Sequence, residues 1–73
     1  MTESFKLRYR LIKLCLTLDW LMDQLRRRRY TYSWQQLRDV YEGTLTGDLA
    51  AEIIHISMDV LDGYELWVKN IKV

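Results

Sequence analysis

Leu7, Leu11, Leu14, Leu18, Leu21 and Leu25 are spaced alternately four and three residues apart. That spacing puts all six side chains on one face of a helix. A strand competes over the start, where Phe5, Leu7, Tyr9 and Leu11 alternate with Lys6, Arg8 and Arg10. The leucine register runs on to Leu25, so the helix is preferred, over about residues 5–28. Ile12, Cys15 and Met22 widen the stripe beyond a two-stranded coiled-coil seam, which predicts burial against several elements. Ser4 or Thr2 is the expected cap, and Arg26 to Arg29 stand at the carboxyl end, where cations favour the helix dipole.

Tyr30, Thr31 and Tyr32 favour extended backbone and read as a short link. Ser33 with Gln36 forms a capping-box pattern. Trp34, Leu37, Val40 and Tyr41 then follow at helical spacing, predicting a short helix over about 34–42 that Gly43 ends. The stretch GTLTGD is a turn. Leu49, Ile53, Ile56 and Val60 predict a helix over about 47–62, ended by Asp62-Gly63. The tail, with Leu66, Trp67, Val68 and Ile71, suits a short carboxyl-terminal strand paired with Tyr30 to Tyr32. The expected architecture is therefore mainly α, one compact three-helix domain over residues 1–73 with a terminal strand. An α+β alternative places a hairpin over about 54–71, because Ile53, Ile54, Ile56 and Val60 are β-branched and Asp-Gly is a hairpin-turn dipeptide.

The element order has the outline of a winged helix-turn-helix, with the third helix in the recognition position. This is a likeness of outline alone. From Thr44 to Gly63 there is no lysine or arginine, while Asp48, Glu52, Asp59 and Asp62 would face phosphates. A recognition helix of that charge would be repelled by DNA.

No apolar run approaches the roughly 20 residues needed to cross a bilayer, and charge is spread through MTESFKLRYR where a signal peptide needs an apolar core. A membrane partner is not expected. Cys15, the one cysteine, is expected to lie buried among Leu14, Leu16 and Leu18 in a reducing, cytoplasmic location. His55 has Glu52 and Asp59 one helical turn away; a solvated helix face accounts for them better than a metal site. With no glycine-rich phosphate loop, nucleophile elbow or paired cysteines, no enzymatic chemistry, cofactor, metal or small-molecule substrate is expected.

The net charge of +1 hides a division. Through Tyr30, eight basic residues face three acidic ones, +5; from Thr31 onward three basic residues face seven acidic ones, −4. This asymmetry suits internal pairing, head-to-tail association or an anionic partner. Arg26, Arg27, Arg28 and Arg29, beside Tyr30 and Tyr32, are the candidate contact for an anionic partner or nucleic acid, since guanidinium groups meet phosphates and rings stack on bases. Lys6, Arg8, Arg10 and Lys13 are expected to cover the outer flank of the first helix. Trp20 and Trp34 are expected in the core; Trp67, with Tyr64, Ile71 and His55, is the candidate protein interface. A chain this short gains only roughly 3–5 kcal/mol from its core, which makes a partner or a homodimer a physical expectation. The function expected is regulation or adaptor binding to another protein, in fixed stoichiometry. The alternative is a small winged-helix-like transcriptional regulator that contacts nucleic acid through the arginine cluster.

Overall fold

The leucine seam forms, but in two helices rather than one. The computed structural model describes residues 3–71 and contains α1 (Glu3–Lys13), α2 (Leu18–Arg27), α3 (Trp34–Glu42) and α4 (Asp48–Ile71). The helix expected over 5–28 is broken at Leu14 to Thr17. There Cys15 takes a left-handed conformation (φ 57°), while Cys15 N–H donates to the Ile12 carbonyl (3.0 Å) and Leu16 N–H to the Leu11 carbonyl (2.9 Å). These two bonds satisfy carbonyls that a helix end otherwise leaves open. Thr17 then caps α2, its hydroxyl accepting from Trp20 N–H (3.1 Å), with Asp19 in the first turn. Ser4, expected as a cap, lies buried inside α1, and Thr2 falls outside the described residues.

The same turn ends α2 and α3. After α2, Arg29 (φ 68°) donates to Arg26 (2.9 Å) and Tyr30 to Leu25 (3.0 Å). After α3, Gly43 (φ 82°) donates to Val40 (3.2 Å) and Thr44 to Asp39 (2.9 Å). Only the third uses glycine, the residue for which this conformation carries no Cβ penalty, and only the third was legible as a stop. The capping box at α3 is as expected: Gln36 N–H donates to Ser33 Oγ (3.1 Å) and Ser33 N–H to Gln36 Oε1 (3.0 Å).

Breaking the seam lets two short apolar faces converge. Leu7 and Leu11 of α1, and Leu21, Met22 and Leu25 of α2, meet Leu37 and Val40 of α3 and Ala50, Ile53, Ile54, Val60 and Leu61 of α4. Both α1 and α2 lie against α3 and α4, which also lie against each other, so α3 and α4 each touch all the other helices. Leu14 and Leu18, midway along the seam, are only partly buried, because they flank the turn. Cys15 is exposed rather than buried, since a left-handed cap residue stands outside the helix it ends.

No strand occurs among the described residues. Residues 64–71, expected as a strand, continue α4, and the hairpin alternative fails with it. Gly63 lies in a helix interior, where a Cβ would stand 4.0 Å from Arg28 Nη2 and touch nothing closer. Glycine there weakens a helix without stopping it. The winged outline fails too, since these residues provide no strands for a wing. All the buried residues of α4 lie between Ala50 and Leu61; its last ten residues carry none. Although α4 is long, no helix of the described residues is long and apolar enough to cross a membrane.

Two substitutions test these backbone assignments. Cys15→Gly removes a left-handed penalty of about 1–2 kcal/mol, partly offset by a looser unfolded chain. A net gain of about 1 kcal/mol raises Tm by roughly 4–8 °C in a domain of this size; an unchanged or lower Tm would show that Cys15 does not hold this conformation. Gly63→Ala should likewise stabilise the chain by about 1 kcal/mol in a denaturant titration. If residues 64–71 formed a strand after an Asp-Gly turn, the same change would destabilise instead.

Candidate functional site

Beyond Leu61, α4 leaves the core and presents its side chains to solvent and to its neighbours. Arg10 of α1 joins its flank: Nη2 donates to Asp62 Oδ1 (2.7 Å) and Glu65 Oε1 (3.1 Å), and Nη1 lies 3.5 Å from Met58 Sδ. Burial lowers the Arg10 pKa, but hydrogen bonds and charge from the two carboxylates overcome this and leave it raised. The positive first half and negative second half of the chain thus pair within one molecule, at its surface. Arg8 follows a second route, its guanidinium lying 5.3 Å from the ring centre of Tyr41 on α3. Neither arginine is only a solvated cover for α1, the place expected for both. Lys6, by contrast, pairs only with Glu3 on the exposed side (3.2 Å).

Between α1 and the end of α4 runs an open groove of about 1010 Å³, lined by apolar Tyr9, Leu14, Tyr64, Leu66 and Val68 and bordered by Lys13 and Lys69. Tyr9, Ile12, Leu66, Trp67 and Ile71 are each 57–63% exposed. Trp67, Tyr64 and Ile71, named as a candidate interface, do share this end of α4. His55 does not join them: it stands exposed on an earlier turn, its Nε2 3.8 Å from Asp59 Oδ2. No group of three or more metal-binding side chains is assembled among the described residues.

The tryptophans depart from expectation. None belongs to the fully buried core: Trp20 is half-buried, and Trp34 and Trp67 are 40% and 60% exposed. Leucine, isoleucine and valine fill the core, leaving the large rings at its edges. Trp20 meets Tyr64 edge-on with ring centres 5.1 Å apart, and Tyr64 lies 6.2 Å from Trp67. These rings, with Gln24, Arg28, Val60 and Gly63, surround a second cleft of about 350 Å³ between α2 and α4.

Arg26 to Arg29 do not present one phosphate-binding face. Arg26, Arg27 and Arg28 fan around the end of α2 because successive helical residues turn through about 100°, and Arg29 is the left-handed cap. Arg27 pairs with Asp23 (2.8 Å) and Arg28 contacts Gln24 (3.4 Å); Arg26 and Arg29 have no ion-pair partner among the described residues. Tyr30 and Tyr32 stack on each other, centres 5.9 Å apart and planes 7° apart, so each has one ring face occupied. Tyr32 also donates its hydroxyl to Glu52 Oε1 (2.7 Å), joining the link before α3 to the start of α4.

No protein-family model, curated protein or solved structure matches the chain. Its functional reading stands on this geometry.

Partial burial and the Glu52 carboxylate push the Tyr32 phenol up to about 12. The folded chain therefore holds this proton more tightly than the unfolded chain, whose ordinary value is about 10. The contact contributes fully below about pH 10 and is lost as pH rises through about 12. In a spectrophotometric titration Tyr32 should be the last phenol to ionise, and Tyr32→Phe should remove that last component. If the component persists in the variant, the Glu52 contact is not the cause.

Proposed function

We propose that this chain is a small non-enzymatic regulatory or adaptor protein that works by occupying a surface of another protein. The exposed apolar surface on α1 and the end of α4 supports this reading most strongly. Folding leaves Tyr9, Ile12, Leu66, Trp67 and Ile71 in water, although burial of each would gain about 1.5–3 kcal/mol. Of these, Tyr9 and Leu66 line the α1–α4 groove with Leu14 and Val68, and Lys13 and Lys69 stand at its edge; apolar side chains with a charged border have the composition of a binding surface.

Self-association is part of the proposal. Leu7, Leu11, Leu21 and Leu25 of the seam are spent on the chain's own core, and no described strand offers an edge; the α1 and α4 surface, which includes Leu14, is what remains. A nucleic-acid reading keeps one observation in its favour, the unpaired Arg26 and Arg29 at the exposed end of α2. The acidic side chains along α4 and the mutual stacking of Tyr30 and Tyr32 weigh against it.

Size-exclusion with light scattering, with and without duplex oligonucleotide, separates these readings. The wild-type chain should associate, with itself or with a partner recovered by affinity capture. Tyr9→Asp with Leu66→Asp should abolish that association while changing stability by no more than about 0.5 kcal/mol, as expected of surface positions. If the double variant associates like the wild type, the surface is misassigned. Salt-sensitive duplex binding lost on changing Arg26 to Arg29 to glutamine would establish the nucleic-acid reading in its place.

A further inference from the structure

The cleft between α2 and α4 brings together three aromatic rings and a guanidinium without a carboxylate partner. Trp20 and Tyr64 meet edge to face, Trp67 tilts against Tyr64 at 38°, and Val60 lies at the base. Arg28 reaches this cleft from the last turn of α2. Among the described residues its one side-chain hydrogen bond is a long 3.4 Å contact from Nη1 to Gln24 Oε1, and it makes no ion pair. Its Nη2 lies 4.0 Å from where a Cβ on Gly63 would stand, at ordinary van der Waals distance.

Gly63 is the second observation. A glycine inside a helix costs stability, alanine would fit without a clash, and yet the wall of this cleft is where the glycine sits. A larger side chain here would fill the space between Arg28 and Tyr64. Open space is thus kept at some cost to the helix, beside rings that offer flat apolar faces and a guanidinium with donors to spare.

We propose that this cleft binds a small carboxylate that carries one aromatic ring, its ring against Tyr64 and Trp67 and its carboxylate on Arg28. Its volume of about 350 Å³ admits a single small ring system, at the lower end of the roughly 300–1,000 Å³ of ligand pockets. Edge-to-face and offset ring contacts supply the apolar part of the affinity, and a charge-assisted bond to Arg28 selects the anion. The ligand is bound and not transformed. Tyr64 borders both, but Trp20, Arg28, Gly63 and Trp67 lie outside the α1–α4 groove, so this site is distinct from it.

The three tryptophans make the test selective. In a titration followed by the indole N–H resonances, N-acetylphenylalanine should shift Trp20 and Trp67 saturably and leave Trp34, on α3, in place. Arg28→Gln should weaken binding roughly tenfold to a hundredfold, the worth of a hydrogen bond to a charged group. N-acetylphenylalanine amide, without the charge, should bind the wild type as weakly. Gly63→Leu should abolish the shifts while the helical circular dichroism stays unchanged. The absence of saturable shifts, equal shifts at Trp34, or unaltered binding in both variants would each overturn the site. A tetrapeptide ending in phenylalanine with a free carboxylate distinguishes the sources: equal binding assigns the site to the end of a polypeptide, and exclusion of the peptide assigns it to a free aromatic acid.

Discussion

The left-handed residue at Cys15 sets the arrangement of everything after it. Without that turn, α1 and α2 would form one rod with its leucines along a single line, and no two of them on opposite sides of a core. With it, Leu7 and Leu11 come to the same interior as Leu21 and Leu25. A β-carbon in this conformation costs roughly 1–2 kcal/mol, so the turn persists only because two backbone hydrogen bonds and the burial of both seams outweigh it. Arg29 repeats the device at the end of α2. The helix ends are therefore decided by tertiary burial and not by residues with a strong local preference.

α4 has two halves with different tasks. Its first half supplies Ala50, Ile53, Ile54, Val60 and Leu61 to the core, and also Ser57, whose hydroxyl is buried with no partner among the described residues. An unpaired buried hydroxyl costs about 1–3 kcal/mol, a local expense carried by the apolar contacts around it. Its second half is held by Arg10 through Asp62 and Glu65 and by Trp20 through Tyr64. These contacts leave Leu66, Trp67 and Ile71 in solvent. Rigid backbone with exposed apolar side chains is a favourable starting point for binding, because little ordering remains to oppose it.

Much of this was legible in the chain. The core leucines Leu7, Leu11, Leu21 and Leu25, the capping box at Ser33 and Gln36, and the stop at Gly43 follow from spacing and cap chemistry acting over four residues or fewer. The start of α4, expected near residue 47 and found at Asp48, was legible as well. The break at Cys15 was not, because its left-handed residue is not a glycine; Thr17 followed by Asp19 was the one local sign of a new helix. Gly63 misled in the opposite sense, reading as a stop where neighbouring α1 and α2 hold the helix together. The joint placement of Trp20, Arg28, Gly63 and Tyr64 depends on residues up to 44 positions apart, beyond the reach of any periodicity.

By itself the sequence determined the helical class, the core leucines Leu7, Leu11, Leu21 and Leu25 and the division of charge, since these rest on composition and on periods of three to four residues. Tertiary structure alone decided where the leucine seam turns, that the tail continues as helix, and which charges and rings meet across elements. The physical reason is range. Local propensity differences of about 1 kcal/mol at Cys15 or Gly63 are smaller than the burial energy of the side chains on either side, so the core, assembled from distant residues, overrules them.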